Sequence, residues 1–313
     1  MKKRFFFVLP FSLFLLAFFF VPVLFGVTLP FFSGDFVNVQ NIRSGAFGVE
    51  NFADAVSSVA GMGLWDAIRN TIIYTICVSA GCIALGLVGA LLVSQNFRTV
   101  GLVRILLTLS WVVPTYVVGL LWGFMWQQDS GVINTILFDY LHWDKISGLF
   151  GASWTYSADG NLVKPNWLTG PNTIWAIVIP TIWRNWPFCM MMFLSGIRAI
   201  PRDIYEAAEL DGIPPRERFL HLTLPLLRPV FAVVILEAFV VNMYSFNLVA
   251  MMFGNGSGFP GKFGDLIMTF LYRTSFQTWN FGAGAALGTL TMLFMMICVS
   301  VWYRTLGGGS RDG

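Results

Sequence analysis

Apolar positions in this chain fall in long unbroken stretches, not in the two-residue alternation of a strand or the one-sided stripe of a soluble helix. No Asp, Glu, Lys or Arg occurs from Phe5 to Gly34, Asn70 to Phe97, Ile105 to Gln128, Ala238 to Gly261, or Thr274 to Tyr303. Each run suffices for a bilayer core, which takes about 20 mostly apolar helical residues. A sixth, from about Thr173 to Ile197, is interrupted only by Arg184. The pattern predicts an all-α polytopic membrane protein with six transmembrane helices, forming a single transmembrane domain over residues 1–313. The first run reads as a span and not as a cleaved signal. Its roughly 28 residues exceed the 7–15 of a signal core, and no small-x-small site precedes Asp35.

Composition agrees: 56% of residues are apolar and 11% charged, with a mean hydropathy of +0.71. Soluble domains run at roughly 45–50% and about 25%, so an ordinary soluble protein is excluded. The net charge of +3 points to no acidic or nucleic-acid partner, and membrane lipid is the expected surrounding. Where the charges sit is more informative. With the amino terminus in the cytoplasm, the inner pieces carry twelve basic residues, from Lys2, Lys3 and Arg4 to Arg304 and Arg311. The outer pieces carry six: Arg43, Arg69, Lys145, Lys164, Lys262 and Arg273. This asymmetry places both termini in the cytoplasm. The outer connections, roughly Ser33 to Ile68, Gln127 to Asn172 and Gly254 to Tyr272, suit either a cap that meets another protein or plain loops. Trp65, Trp126, Trp167, Trp175 and Trp279 near the span ends are expected to form an interfacial belt. The tail at Gly307-Gly308-Gly309-Ser310 reads as flexible.

Little in the chain suggests catalysis. Cys77, Cys82, Cys189 and Cys298 lie in apolar runs without metal-ligand spacing, which predicts inert thiols and no metal site. His142 and His221 are the only histidines and belong to no nucleophilic or acid–base constellation. Gly256 to Lys262 fits G-x-x-x-x-G-K, but Phe263 stands where a phosphate-binding loop needs Ser or Thr, and no strand precedes it. It is read as an outer loop.

The inner loop over residues 199–228 is the most informative segment. Pro201 suits a first helical turn, Ala207 and Ala208 favour helix, and Gly212 is placed to end it in a left-handed conformation. Pro214 and Pro215 permit a second helix, which Pro225 is expected to limit. The order Glu206-Ala207-Ala208, three residues, Gly212, nine residues, Leu222-x-Leu224-Pro225 resembles the EAA loop of binding-protein-dependent ABC importer permeases, with Leu222 where that family usually has Ile. Ile200-Pro201, Asp203-Ile204-Tyr205, Gly131-Val-Ile-Asn134 and the segment Phe281 to Leu287 extend the likeness to the carbohydrate branch that includes maltose and glycerol-3-phosphate permeases. The resemblance implies a type I ABC importer permease fold and a coupling loop that docks through Glu206, Ala207, Ala208, Asp211, Gly212, Leu224 and Pro225. It further implies two cytoplasmic P-loop ATPase subunits that carry ATP and magnesium, a second homologous permease, and an extracytoplasmic solute-binding protein. No cofactor is expected on this chain.

Polar residues inside spans are costly and mark candidate pathways. Ala238, Asn242, Ser245 and Val249 follow i, i+4, i+7 and i+11, a spacing that stacks them on one face of a continuous helix. Asn185, Phe188 and Met192 do the same in the fourth span, where Pro187 also frees the Trp183 carbonyl. Placed on the maltose-permease pattern, Asn242, Ser245, Ala238, Asn185 and Phe188 fall on sugar-contact positions, with Ala238 lacking the hydroxyl found there. Amides, a hydroxyl and an aromatic face suit a sugar, oligosaccharide or polyol. Structural hydrogen bonding between helices is the alternative for Asn242 and Ser245. Arg184 and Glu237 are the charges within spans; Arg184 is a candidate for an anionic substrate group, an acidic partner or a wet vestibule. Gly284 and Gly288 permit close packing, within the subunit or against a second permease. Rival readings are an ABC permease for a phosphate ester, amino acid or peptide, an ion-coupled secondary carrier, and a membrane enzyme.

Overall fold

The computed structural model describes residues 2–32, 47–57, 61, 63–95, 97–148, 162–253 and 259–307. Arg43 and most of the first outer connection, residues 149–161, Gly256 to Gly258, and the tail from Gly308 through Arg311 lie outside them. The described residues form helices and contain no strand, only an isolated bridge between Phe32 and Phe47. In chain order the principal helices are α1 (Lys2–Leu15), α2 (Val21–Thr28), α3 (Glu50–Ser57), α4 (Leu64–Ser94), α5 (Val100–Val112), α6 (Thr115–Met125), α7 (Thr173–Ala199), α8 (Arg202–Leu210), α9 (Pro215–Arg218), α10 (Arg228–Met243), α11 (Asn247–Met252), α12 (Ile267–Tyr272) and α13 (Phe281–Trp302). Among the described residues Val8–Phe31, Leu64–Ser94, Thr173–Ala199 and Phe281–Thr305 are each long and apolar enough to cross a membrane, and the spans number six where each of two bent helix pairs counts as one.

The chain divides into two compact units. The first holds residues 1–65 and 270–301. There a π turn, Leu16–Phe20, joins α1 to α2, and the Asn51 amide donates to the carbonyls of Pro30 (3.0 Å) and Phe32 (2.8 Å). In α13, a Cβ at Gly284 would overlap the Ser275 hydroxyl. That small residue therefore serves packing within the unit.

The second unit holds residues 66–269 and 302–313. Its core is built on Tyr74, Val78, Ile177, Met190, Phe193, Val234 and Leu248, all buried. Lipid is as apolar as these side chains, so close packing and interhelical hydrogen bonds hold such helices together. The third predicted span is not one straight helix: α5 and α6 meet at 88° across Val113 and Pro114. Proline disfavours helical backbone in the residue before it, and Val113 is extended (φ −64°, ψ 128°). The fifth also departs from expectation. The helix begun at Pro215 passes through Pro225, by way of a π turn at Phe219–Thr223, and bends 65° at Leu227. Beyond it α10 stops at Met243, and α11 restarts at Asn247. The predicted stripe from Ala238 to Val249 is thus broken at Ser245, with Val249 buried in the core. α6 and α11 pack so closely that a Cβ at Gly119 would stand 2.5 Å from the Leu248 carbonyl oxygen.

α7, in contrast, is continuous despite Pro180 and Pro187. Pro180 removes the donor for the Ala176 carbonyl, and the Trp126 indole N–H supplies another at 3.0 Å. Trp126 is 3% exposed and packs on Trp167 and Trp122, with ring centres 4.9 and 5.5 Å away. Trp126 and Trp167 are therefore packing residues; Trp65, Trp175 and Trp279 stay exposed as a belt requires. Asn134 is wholly buried, donating to the carbonyls of Gln128 and Pro165 while its oxygen accepts from Trp167.

Candidate functional site

Two adjoining cavities of about 150 and 160 Å³ lie among the helices of the second unit. Arg184, Asn185, Val241 and Asn242 line both. The first adds Cys82, Trp111, Phe188, Cys189, Glu237 and Ala238; the second adds Tyr74, Thr115, Thr181, Ser245 and the start of α11. Helical spacing brings Asn185 and Phe188 round from α7, and Ala238 and Asn242 from α10. Ser245 arrives from the break that follows α10. All six residues expected from the sequence, Asn242, Ser245, Asn185, Phe188, Ala238 and Arg184, meet here. Met192 lies instead among side chains packed on the core.

The polar groups are ordered by bonds to neighbouring helices. Thr181 donates to the Ile177 carbonyl at 2.8 Å and accepts from Tyr74 at 3.1 Å. Tyr74 has one proton, so in its 2.8 Å contact with Ser245 it accepts and Ser245 donates. The Asn242 amide donates to Ser79 at 3.1 Å. Arg184 donates from Nε to the Val113 carbonyl (3.1 Å) and from Nη1 to the Asn185 side-chain oxygen (2.8 Å). Among the described residues, the groups left without a bond include acceptor lone pairs on Ser245, the Asn242 oxygen, the Asn185 amide protons and the remaining Arg184 N–H groups. Phe188 and Trp111, with ring centres 6.0 Å apart, supply aromatic surface. Arg184 and Glu237 line one cavity, both half-buried; among the described residues Arg184 has no ion-pair partner within 4.0 Å.

Sequence reasoning missed Tyr74, Ser79, Trp111 and Thr181, because aromatic and hydroxyl residues occur in any span. Cys82 and Cys189 are free and buried, as expected, and in addition line the cavity. Groups of His, Cys, Asp and Glu able to hold a metal are absent among the described residues.

The loop of residues 199–228 is a second candidate surface. α8 starts after Pro201 and ends at Gly212, whose φ is +71°. Gly212 N–H bonds the Glu209 carbonyl and Ile213 N–H the Ala208 carbonyl, both at 3.0 Å, the paired pattern of a Schellman terminus. Glu206, Ala207, Asp211 and Gly212 are exposed, Leu224 and Pro225 half-buried. Ala208, expected at the docking surface, is instead buried against its own chain. Tyr205 and Thr223 share a 3.0 Å hydrogen bond, and Arg218 lies 3.6 Å from Glu209.

Comparison with known proteins gives this geometry a setting. The permease YcjO of Escherichia coli, an inner membrane ABC transporter protein, is 30% identical over 258 residues, covering 82% of this chain and 78% of its own. The trehalose/maltose transport system permease MalF of Thermococcus litoralis is 30% identical over 73% of this chain and 69% of its own. The sulfoquinovosyl glycerol transport system permease SmoG of Agrobacterium fabrum is 28% identical over 77% and 71%. A solved bacterial alginate ABC transporter, in complex with its alginate pentasaccharide-bound periplasmic protein, contains a chain of the same fold, with a TM-score of 0.77 at 18% identity over 99% of this chain and 97% of that one. Residues 82–311 match the family described as binding-protein-dependent transport system inner membrane component. The chain is a member of that family, an ABC importer permease.

Proposed function

We propose that the chain moves a sugar, oligosaccharide or polyol into the cytoplasm by alternating access, and that the cavity between α4, α7 and α10 is where the solute passes. One observation carries this reading: Asn185 and Asn242 line one cavity with the Phe188 and Trp111 rings, and both also line the adjoining cavity that Ser245 borders. Hydroxyl groups of a ligand both donate and accept, and a sugar's apolar face lies well on an aromatic ring. The carbohydrate relatives support the same class. Arg184 and Ala238 complete the wall.

The rest of the machine follows as part of the proposal. Two cytoplasmic ATPase subunits carry ATP and magnesium, and the α8–α9 hairpin docks on one through Glu206, Ala207, Asp211 and Gly212, with Ala208, Leu224 and Pro225 supporting it from behind. A second homologous permease completes the pathway, a solute-binding protein delivers from outside, and both termini lie in the cytoplasm. Docked helices that move with the ATPases would transmit closure as rigid bodies.

The test is ATP-driven uptake of labelled trehalose, maltose and sulfoquinovosyl glycerol into vesicles holding the co-purified complex, with amino acids and glycerol phosphate as competitors. Asn242→Ala is expected to lower uptake of the transported sugar about tenfold, the scale of one hydrogen bond in a low-dielectric site, with the complex still assembled. Uptake equal to the parent chain would remove Asn242 from the pathway. Competition by amino acids alone would overturn the carbohydrate class.

A further inference from the structure

The 88° bend between α5 and α6 interrupts the helical hydrogen-bond ladder, and the Val113 carbonyl is one of those that lose their backbone donor. In a continuing helix the Val117 N–H would serve Val113, but here Val117 and Val118 both donate to the Pro114 carbonyl, at 3.0 and 3.1 Å. An unserved carbonyl within a bilayer costs several kcal/mol. The donor that reaches Val113 is Arg184 Nε, at 3.1 Å, and Nη1 of the same guanidinium holds the Asn185 oxygen at 2.8 Å. Arg184 and Asn185 both line the cavity.

We propose that Arg184 is a positioning residue: its guanidinium replaces the backbone donor lost at the Pro114 break and, from the same plane, turns the Asn185 amide so that its protons face the transported solute. The rigid fork of guanidinium suits this double task. A side-chain donor also stands in for a missing backbone one at Trp126 and the Ala176 carbonyl, there because Pro180 has no N–H. The guanidinium thus acts on the solute through Asn185, and its charge is not the recognition element. This deepens the carbohydrate reading of the cavity, and its test needs no solute, so the two can fail separately.

Cys82 and Cys189 in the same wall are native reporters. Their alkylation by N-ethylmaleimide is followed by mass spectrometry in the full chain, purified with its partners, for Arg184→Met, Arg184→Gln and Arg184→Lys. Met lacks a donor; Gln keeps one without charge, and Lys keeps one with it. Arg184→Met is expected to speed alkylation about tenfold or more, the factor for losing a hydrogen bond from a charged donor, while Gln and Lys, which keep a donor but not the planar fork, fall between the parent and Met. Gln as reactive as Met would overturn the proposal, since charge and not donation would then matter. An unchanged Met variant would overturn it too. If the Met variant does not fold, Gln decides: a folded Gln variant within about tenfold of parental reactivity supports the role, and an unfolded or more reactive one overturns it.

Discussion

Ser245, Tyr74, Thr181 and the Ile177 carbonyl form a directed chain in which each hydroxyl donates a hydrogen bond to the next group. Its direction decides what Ser245 offers: with its proton committed to Tyr74, it faces a ligand as an acceptor. Tyr74→Phe frees that proton and removes the bridge between α4, α7 and the break after α10. The expected loss is about 0.6–1.5 kcal/mol, the range for interhelical and buried hydrogen bonds, read as a lower midpoint of thermal unfolding in detergent. A parental midpoint would show that the bridge contributes nothing. At this scale the sequence was legible for Asn185, Asn242 and Phe188, because amides inside spans are rare and helical spacing lines them up. It was not legible for Tyr74 or Trp111, whose side chains are at home anywhere in a membrane helix.

The chain breaks are where element-level reading partly failed. Pro114 marks the α5–α6 bend openly, yet an absence of charge over Ile105 to Gln128 looks the same for a straight helix and a bent one. The stop between α10 and α11 has no such mark: Tyr244-Ser245-Phe246 contains neither Gly nor Pro, and the interruption is decided by packing that only the tertiary structure reveals. In contrast, the end of α8 was readable from Gly212 alone. Gly212→Ala is expected to cost about 1 kcal/mol for a side chain held at positive φ, with no steric conflict because nothing approaches that position. Hydrogen exchange at the Ile213 amide is the measurement; it should quicken about fivefold on that energy, while amides in α4 keep their protection. Gly119→Val is the opposite case. Its backbone is ordinary but the Leu248 carbonyl stands in the way, so overpacking of roughly 1–3 kcal/mol should reduce recovery of monodisperse protein.

For the molecule as a whole, the all-α membrane class was legible because a bilayer imposes length and polarity on every span, and the family from the spacing of the Glu206 to Pro225 loop. The division into two units was not, since nothing in an apolar run says which other run it packs against. Two predictions belong here. Glu206→Lys reverses an exposed charge on α8 and is expected to deplete co-purifying ATPase by about tenfold, on the scale of like-charge juxtaposition at an interface; equal recovery would move docking elsewhere. A cysteine at Arg202 should react with an impermeant maleimide only after cells are opened, and labelling of intact cells would reverse the proposed orientation.

The exchange of donors between segments bears on how the protein is made. α5–α6 lends Trp126 to the Ala176 carbonyl of α7, and α7 lends Arg184 to Val113 in return. Neither segment alone satisfies its own backbone in lipid. A nascent chain released into the bilayer one span at a time would expose the Val113 or the Ala176 carbonyl until its counterpart arrived. The third and fourth spans are therefore expected to leave the insertion machinery as a pair, and a ribosome stalled between them should hold the earlier one at the lateral exit, waiting for the arginine to emerge.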